Sequence, residues 1–228
     1  SVRDINFDGF SLHPFIEANP DAVFIMRTNV DVKTNATAMK QAGLDFTQSV
    51  LVPKMVSEGG IPLSNKVIIK PNLTCRNSYD KYPGTEQEKL EQSMGIVSDA
   101  NFVHGMIEWI QGLGVPSANM YMRERSCANH WSLAGFTQLA TLTGVDLKPL
   151  EAEAKNLPAD DLQWIDLPDG VWFRKIAYLY PVNAPDSFLI NVAKFKSHIM
   201  GCLTLSAKNL QGTMAYPYVQ HCRELDKT

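Results

Sequence analysis

The chain has 228 residues, 45% of them apolar, enough to bury a core of ordinary density without a disulfide framework or a structural metal. A formal net charge of -3 and a pI near 5.9 offer no basic field to a polyphosphate backbone, which argues against nucleic acid as a partner. No apolar run reaches the roughly 18 to 20 residues needed to cross a bilayer, so no membrane span is expected, while the compartment stays open between cytoplasmic and exported after loss of a signal segment.

In chain order, the apolar run A-V-F-I-M-R-T at residues 22–28 reads as a first buried strand. Mixed three- and four-residue spacing of Met39, Ala42, Leu44, Phe46, Val50, Leu51 and Met55 predicts a helix within residues 37–55, weakened in the middle by Gly43. K-V-I-I-K at residues 66–70 is a β-branched run stopped by Pro71, predicted to be a central strand with a functional loop at its end. Ser98 is the predicted N-cap of a helix over residues 99–113, whose Phe102, Val103, Met106, Ile107, Ile110 and Leu113 share one face.

Residues 119–124 alternate like a strand, and residues 132–142 read as a helix closed by Gly144. Residues 162–167 and 171–179 are strand-like and flank the turn triplet Pro168, Asp169 and Gly170, which predicts a hairpin. S-F-L-I-N-V at residues 187–192 is a further buried strand. The alternation predicts an α/β fold: a mostly parallel sheet with helices on both faces and an appended β-hairpin, in one domain over residues 1–228 or the larger part of one. After Gly212 the sequence shows few core candidates and no closing element, so it also fits a piece of a longer protein.

Three loops carry polar chemistry. K-P-N-L-T-C, residues 70–75, lies where a parallel strand gives way to a loop, and open α/β sheets bind ligands beyond the carboxyl ends of their strands. There Lys70 can neutralise a phosphate or carboxylate, Asn72 can hydrogen-bond it, and Cys75 can act as a thiolate or soft ligand; the alternative is a solvated strand end with an Asn turn. Residues 193–212 gather Lys194, Lys196, His198 and Lys208 within fifteen positions of a slightly acidic chain, with Asn209 and Gly212 beside them. Such a local excess of cations suits an anionic small molecule or cofactor, against the alternative of an amphipathic element with snorkelling lysines. In M-R-E-R-S-C-A-N-H-W, residues 122–131, a strand ends in Glu124, a candidate general base or orienting carboxylate, beside Arg125, Ser126 and Cys127; the alternative is a surface ion pair.

Cys75, Cys127, Cys202 and Cys222 lie far apart with no C-x-x-C pair, so no three of them are expected to converge on a metal, and no metal ligands are assigned. His104 reads as a packed histidine, and His130 is left open. The common nucleotide-loop, hydrolase-elbow and zincin signatures are absent.

Together these segments resemble the domain-of-unknown-function 362 family of bacteria and archaea. The resemblance rests on V-I-I-K-P-N-L at residues 67–73, on the helix and strand over residues 99–124, and on L-I-N-V-A-K-F-K-S-H at 189–198 followed by L-S-A-K-N-L-Q-G at 205–212. Ala193, Ser197 and Gln211 depart from the family pattern, Gln211 in place of an aromatic residue the most, and Glu124 stands where relatives often carry aspartate. The resemblance implies that Lys70, Asn72, Lys194, Lys196, His198, Lys208 and Asn209 form the site. It also implies the company of iron-sulfur proteins, hence a ferredoxin-like redox partner, although no ferredoxin-type cysteine motif is present in the chain.

Two functions are therefore expected in competition. One is a redox-associated enzyme acting on a small anionic molecule held by Lys70, Asn72, Lys194, Lys196, Lys208 and Asn209, with His198 or Glu124 moving a proton or Cys75 supplying a thiolate. The other is a non-catalytic module that binds an anionic ligand or serves as a scaffold for an iron-sulfur partner. Chain order further predicts that Lys70, Asn72, Lys194, His198 and Lys208 line one cleft at the carboxyl edge of the sheet.

Overall fold

The computed structural model describes residues 7–73, 83–198, 202–204, 206–216 and 218. The described chain begins with strand β1 (Gly9–Leu12), the single turn α1 (Pro14–Glu17), helix α2 (Ala36–Val50) and strands β2 (Leu51–Lys54) and β3 (Ile61–Pro62). β2 and β3 flank β1 on either side, both antiparallel to it. Then come β4 (Lys66–Pro71), α3 (Glu86–Met94), α4 (Ala100–Gly112), β5 (Met120–Met122), α5 (Ala128–Leu133), α6 (Phe136–Thr143) and β6 (Asp146–Leu147). The last part holds β7 (Leu162–Asp166), β8 (Lys175–Leu179), β9 (Ser187–Val192), β10 (Lys196–His198), β11 (Cys202–Thr204) and the turn α7 (Ser206–Asn209).

The principal sheet runs β6-β5-β4-β9 with every neighbouring pair parallel. Parallel strands must be covered on both faces, and the two sides of β4 show how. Val67 and Ile69 face a helical layer in which Val103, Ile107 and Ile110 of α4 and Trp131 and Phe136 of α5 and α6 are buried. Ile68 faces the other way, onto Ala177 and Leu179 of β8 together with Leu150, Ala154 and Ala215. The expected hairpin is present as the antiparallel pair β7 and β8, and it packs against this second face.

Three expectations are corrected. Residues 22–28 form no strand: Val23 is 86% and Ile25 92% exposed, and the N-terminal strand that reaches the core is β1, whose buried Phe10 meets Phe188 of β9 edge to face at 5.4 Å. The helix expected to continue to Met55 stops at Val50 and turns into β2, because Pro53 lacks a donor and holds the residue before it extended. The helix expected over residues 132–142 is two pieces, divided at Gly135, whose φ of 81° leaves the right-handed helical region.

The glycine that weakened the α2 pattern has a packing role. A Cβ at Gly43 would lie 1.9 Å from the carbonyl oxygen of Phe102, and one at Gly105 would lie 1.9 Å from that of Lys40. α2 and α4 therefore cross backbone to backbone, with Lys40 also paired to Glu108 at 2.5 Å. Among the described residues no helix is long and apolar enough to cross a membrane.

Candidate functional site

The parallel register places Lys70 opposite Asn191 and Pro71 opposite Val192, so β4 and β9 end level with one another. Arg123, directly after β5, donates its backbone N–H to Ile69 O at 3.1 Å and brings Glu124 to the same carboxyl edge. Because side chains alternate along a strand, Lys70 shares the face of Ile68 and is fully buried. Its Nζ donates to Glu124 Oε2, to Pro71 O at 2.6 Å and to Asn209 Oδ1 at 3.2 Å. All three ammonium protons are thus matched to acceptors, which is what a buried lysine requires.

Asn209 joins this knot to the strands. Its Nδ2 donates to Lys70 O at 3.3 Å and to Asn191 Oδ1 at 2.7 Å, while Asn191 Nδ2 donates to Ser206 O at 2.9 Å. The K-N-L-Q-G segment is therefore stitched across the ends of β4 and β9. Its last residue explains the glycine: a Cβ at Gly212 would lie 2.2 Å from Glu124 Oε1, and Gly212 O accepts from Arg125 N at 2.7 Å.

Burial pushes the Glu124 carboxyl upward, against the pull of Lys70, Arg125 and Lys196. Burial likewise pushes the Lys70 amine downward, against the pull of Glu124. Desolvation dominates for both partners, which brings the ion pair and its neutral counterpart closer in energy.

The neighbouring loop is organised by Ser98. Its Oγ donates to Val192 O at 2.6 Å and accepts from Asn72 N at 2.8 Å, and its own N–H donates to Asn72 O at 2.9 Å. The expected cap role passes instead to Asp99, whose Oδ1 accepts from Asn101 N and Phe102 N, both at 2.9 Å. Lys196 Nζ donates to Ile96 O at 2.7 Å and reaches Asn72 Oδ1 at 3.4 Å.

Lys70, Asn72, Glu124, Lys196 and Asn209 are thus brought together. Lys194 departs from this group: its charged neighbours are Asp99 and Lys33, and burial, reinforced by Lys33, pushes its amine downward. Lys208 is half-buried on α7. Cys75, Cys222 and the side chains of His198 and Cys202 lie outside the described residues, and Cys127 is a half-buried free thiol. Among the described residues, no group of three or more His, Cys, Asp or Glu is placed to hold a metal ion.

Sequence reasoning gave no role to Asn191 or Arg125. Asn191 carried a signal, being the one amide in the buried run S-F-L-I-N-V. Arg125 stands between Glu124 and Ser126, and its guanidinium lies over the Tyr216 ring, 5.1 Å from the centroid. Ser126 Oγ pairs with His130 Nδ1 at 2.9 Å one turn further on.

Fold and site together define an α/β protein with a buried, charge-paired polar centre at the carboxyl edge of a parallel sheet. A family model described as "Domain of unknown function (DUF362)" matches residues 67–227, and the chain belongs to this family. The match opens at Val67 in β4 and takes in all four strands of the parallel sheet and every residue of the cluster. Comparison with curated proteins and with solved structures found no match.

Proposed function

We propose that the carboxyl edge of the parallel sheet binds a small anionic molecule and that the Lys70–Glu124 pair exchanges a proton with it, making the domain an enzyme on that molecule. The observation that carries this reading is the charge balance at Glu124: one buried carboxylate lies in the field of three cations, Lys70, Arg125 and Lys196. Positive charge gathered in a partly desolvated site favours an anionic ligand.

The proton role follows from opposed pushes on the pair. A lysine shifted down and a carboxyl shifted up by the same burial need less energy to redistribute a proton than the same pair in water, which favours general acid-base work. Lys70 is sealed from solvent and the Glu124 side chain is 12% exposed, so a proton passing to a ligand leaves through Glu124. His198 and Cys75 have no part in this reading. An iron-sulfur partner is implied by the family resemblance alone and adds no step.

The non-catalytic alternative uses the same cations without proton movement. Incubating the purified chain with a panel of small carboxylates and phosphate esters, followed by mass spectrometry, separates the two. The enzyme reading expects one member to be consumed, and Glu124→Gln to slow that by about 100-fold or more. Retention of a panel member without turnover favours the binding module, and neither retention nor turnover overturns both.

A further inference from the structure

We infer that Arg125 is the residue that grips the ligand, and that the ligand presents an oxyanion, a carboxylate or a phosphate, to the Nε edge of its guanidinium. This rests on the anion-site reading above and adds to it the recognising residue and the recognised group.

The contrast with Arg123 carries the argument. Two residues apart just after β5, Arg123 is buried and Arg125 is half-buried. Arg123 is satisfied by protein acceptors throughout: Nε donates to Tyr180 O at 2.6 Å, one terminal nitrogen to Met122 O and Asp146 O at 3.0 Å each, and the other to Asp146 Oδ2 at 2.5 Å. Arg125 differs at Nε. Its Nε is buried with no hydrogen-bond partner among the described residues. The carboxylate beside it, Glu124, is already engaged by Lys70.

A buried donor without an acceptor is a standing penalty that folded proteins seldom retain unless something else supplies the acceptor. The rest of Arg125 is held in place. Its backbone N–H donates to Gly212 O at 2.7 Å, and the guanidinium carbon lies 5.1 Å from the Tyr216 ring centroid, within cation–π range. A guanidinium set against an aromatic ring, with an Nε–H that no acceptor among the described residues takes up, is complementary to the paired oxygens of a carboxylate or phosphate. Lysine offers no such planar edge, which separates this role from that of Lys196.

Isothermal titration of the purified chain with inorganic phosphate, and in a second arm with succinate, tests the inference. Wild type is expected to bind at least one, and the arm that binds names the oxyanion. Arg125→Gln and Arg125→Lys should each weaken that binding about ten-fold or more, the lysine variant showing that charge alone does not suffice. The probe that binds should raise the melting temperature of wild type and not that of Arg125→Gln; an equal rise in both would overturn the inference. Arg125 variants that bind like wild type also overturn it, and a simultaneous loss in Lys196→Gln would leave the anion site standing without Arg125. Wild type that binds neither probe at millimolar concentration overturns the inference, while the turnover panel judges the site itself separately.

Discussion

Lys70 and Glu124 meet across 54 positions of sequence, and the lysine is completely enclosed while the carboxylate keeps a small opening to solvent. Replacing one partner strands the other. Lys70→Met leaves a buried carboxylate without its counterion and should destabilise the fold by about 3–5 kcal/mol, whereas Lys70→Met combined with Glu124→Gln should recover most of that loss. Urea unfolding of the two single variants and the double variant measures the coupling, and strictly additive effects would show that the pair is not a unit.

The same pair gives a signed pH dependence. Native Glu124 holds its proton above the ordinary value of 4.5, so its contribution to stability is fully present below pH 4.5 and is lost as pH rises through the native value. Native Lys70 releases its proton below the ordinary value of 10.5, so its contribution is present above pH 10.5 and is lost as pH falls through the native value. Melting temperatures followed across pH should show Glu124→Gln removing the decline that accompanies rising pH through the native Glu124 value, and Lys70→Met removing the gain that accompanies rising pH through the native Lys70 value. Profiles parallel to wild type in both variants would contradict the burial argument.

Close packing of α2 on α4 predicts steep costs at two glycines and none at a third. Gly43→Ala and Gly105→Ala each force a methyl against a backbone carbonyl and should destabilise by about 1–3 kcal/mol or more. Gly112 ends α4 with open space around its missing Cβ, so Gly112→Ala should be neutral or stabilise by about 0.4–1 kcal/mol. Denaturant midpoints rank the three, and an equal response at all of them would refute the backbone crossing.

Ser98 predicts a local effect. Ser98→Ala deletes the hydroxyl that links Asn72 N to Val192 O, leaving buried backbone groups unpaired at a cost of about 1–3 kcal/mol. Hydrogen exchange should accelerate at the Asn72 amide more than at Ile68 or Ile69 within β4. Uniform acceleration along the strand would mean that the hydroxyl does not act as a local tie.

Local pattern revealed the elements whose chemistry is local. The β-branched run of β4, the apolar run of β9, the stripe of α4 and the turn triplet between β7 and β8 each carry their own period and stops. Residues 22–28 misled because an apolar run records what could be buried, while burial depends on a neighbouring strand that this segment does not find. Pro53 was the readable stop that should have ended α2 early. Strand order brought Lys70, Asn72 and Glu124 to one edge on paper as in the fold. Nothing in the spacing of Lys194 and Lys196 shows that the first answers to Asp99 and the second to Asn72, because the irregular stretch between β9 and β10 sets that choice.

β4 and β9 are in step over six positions, and they are pinned at both ends. At the entry Lys66 pairs with Asp186 through its ammonium and donates its backbone N–H to Asp186 O at 2.8 Å; at the exit Ser98 bolts Asn72 to Val192. A slip of a single residue would turn every side chain of β4 over. Ile69 would then face the hairpin, and the Lys70 ammonium would be driven among Val103, Ile107 and Ile110 with no acceptor in reach. The two pins thus act as an indexing mechanism: they set which face of the sheet receives the charge, so a change remote from the cluster, at Asp186, can misplace it as surely as a change within it.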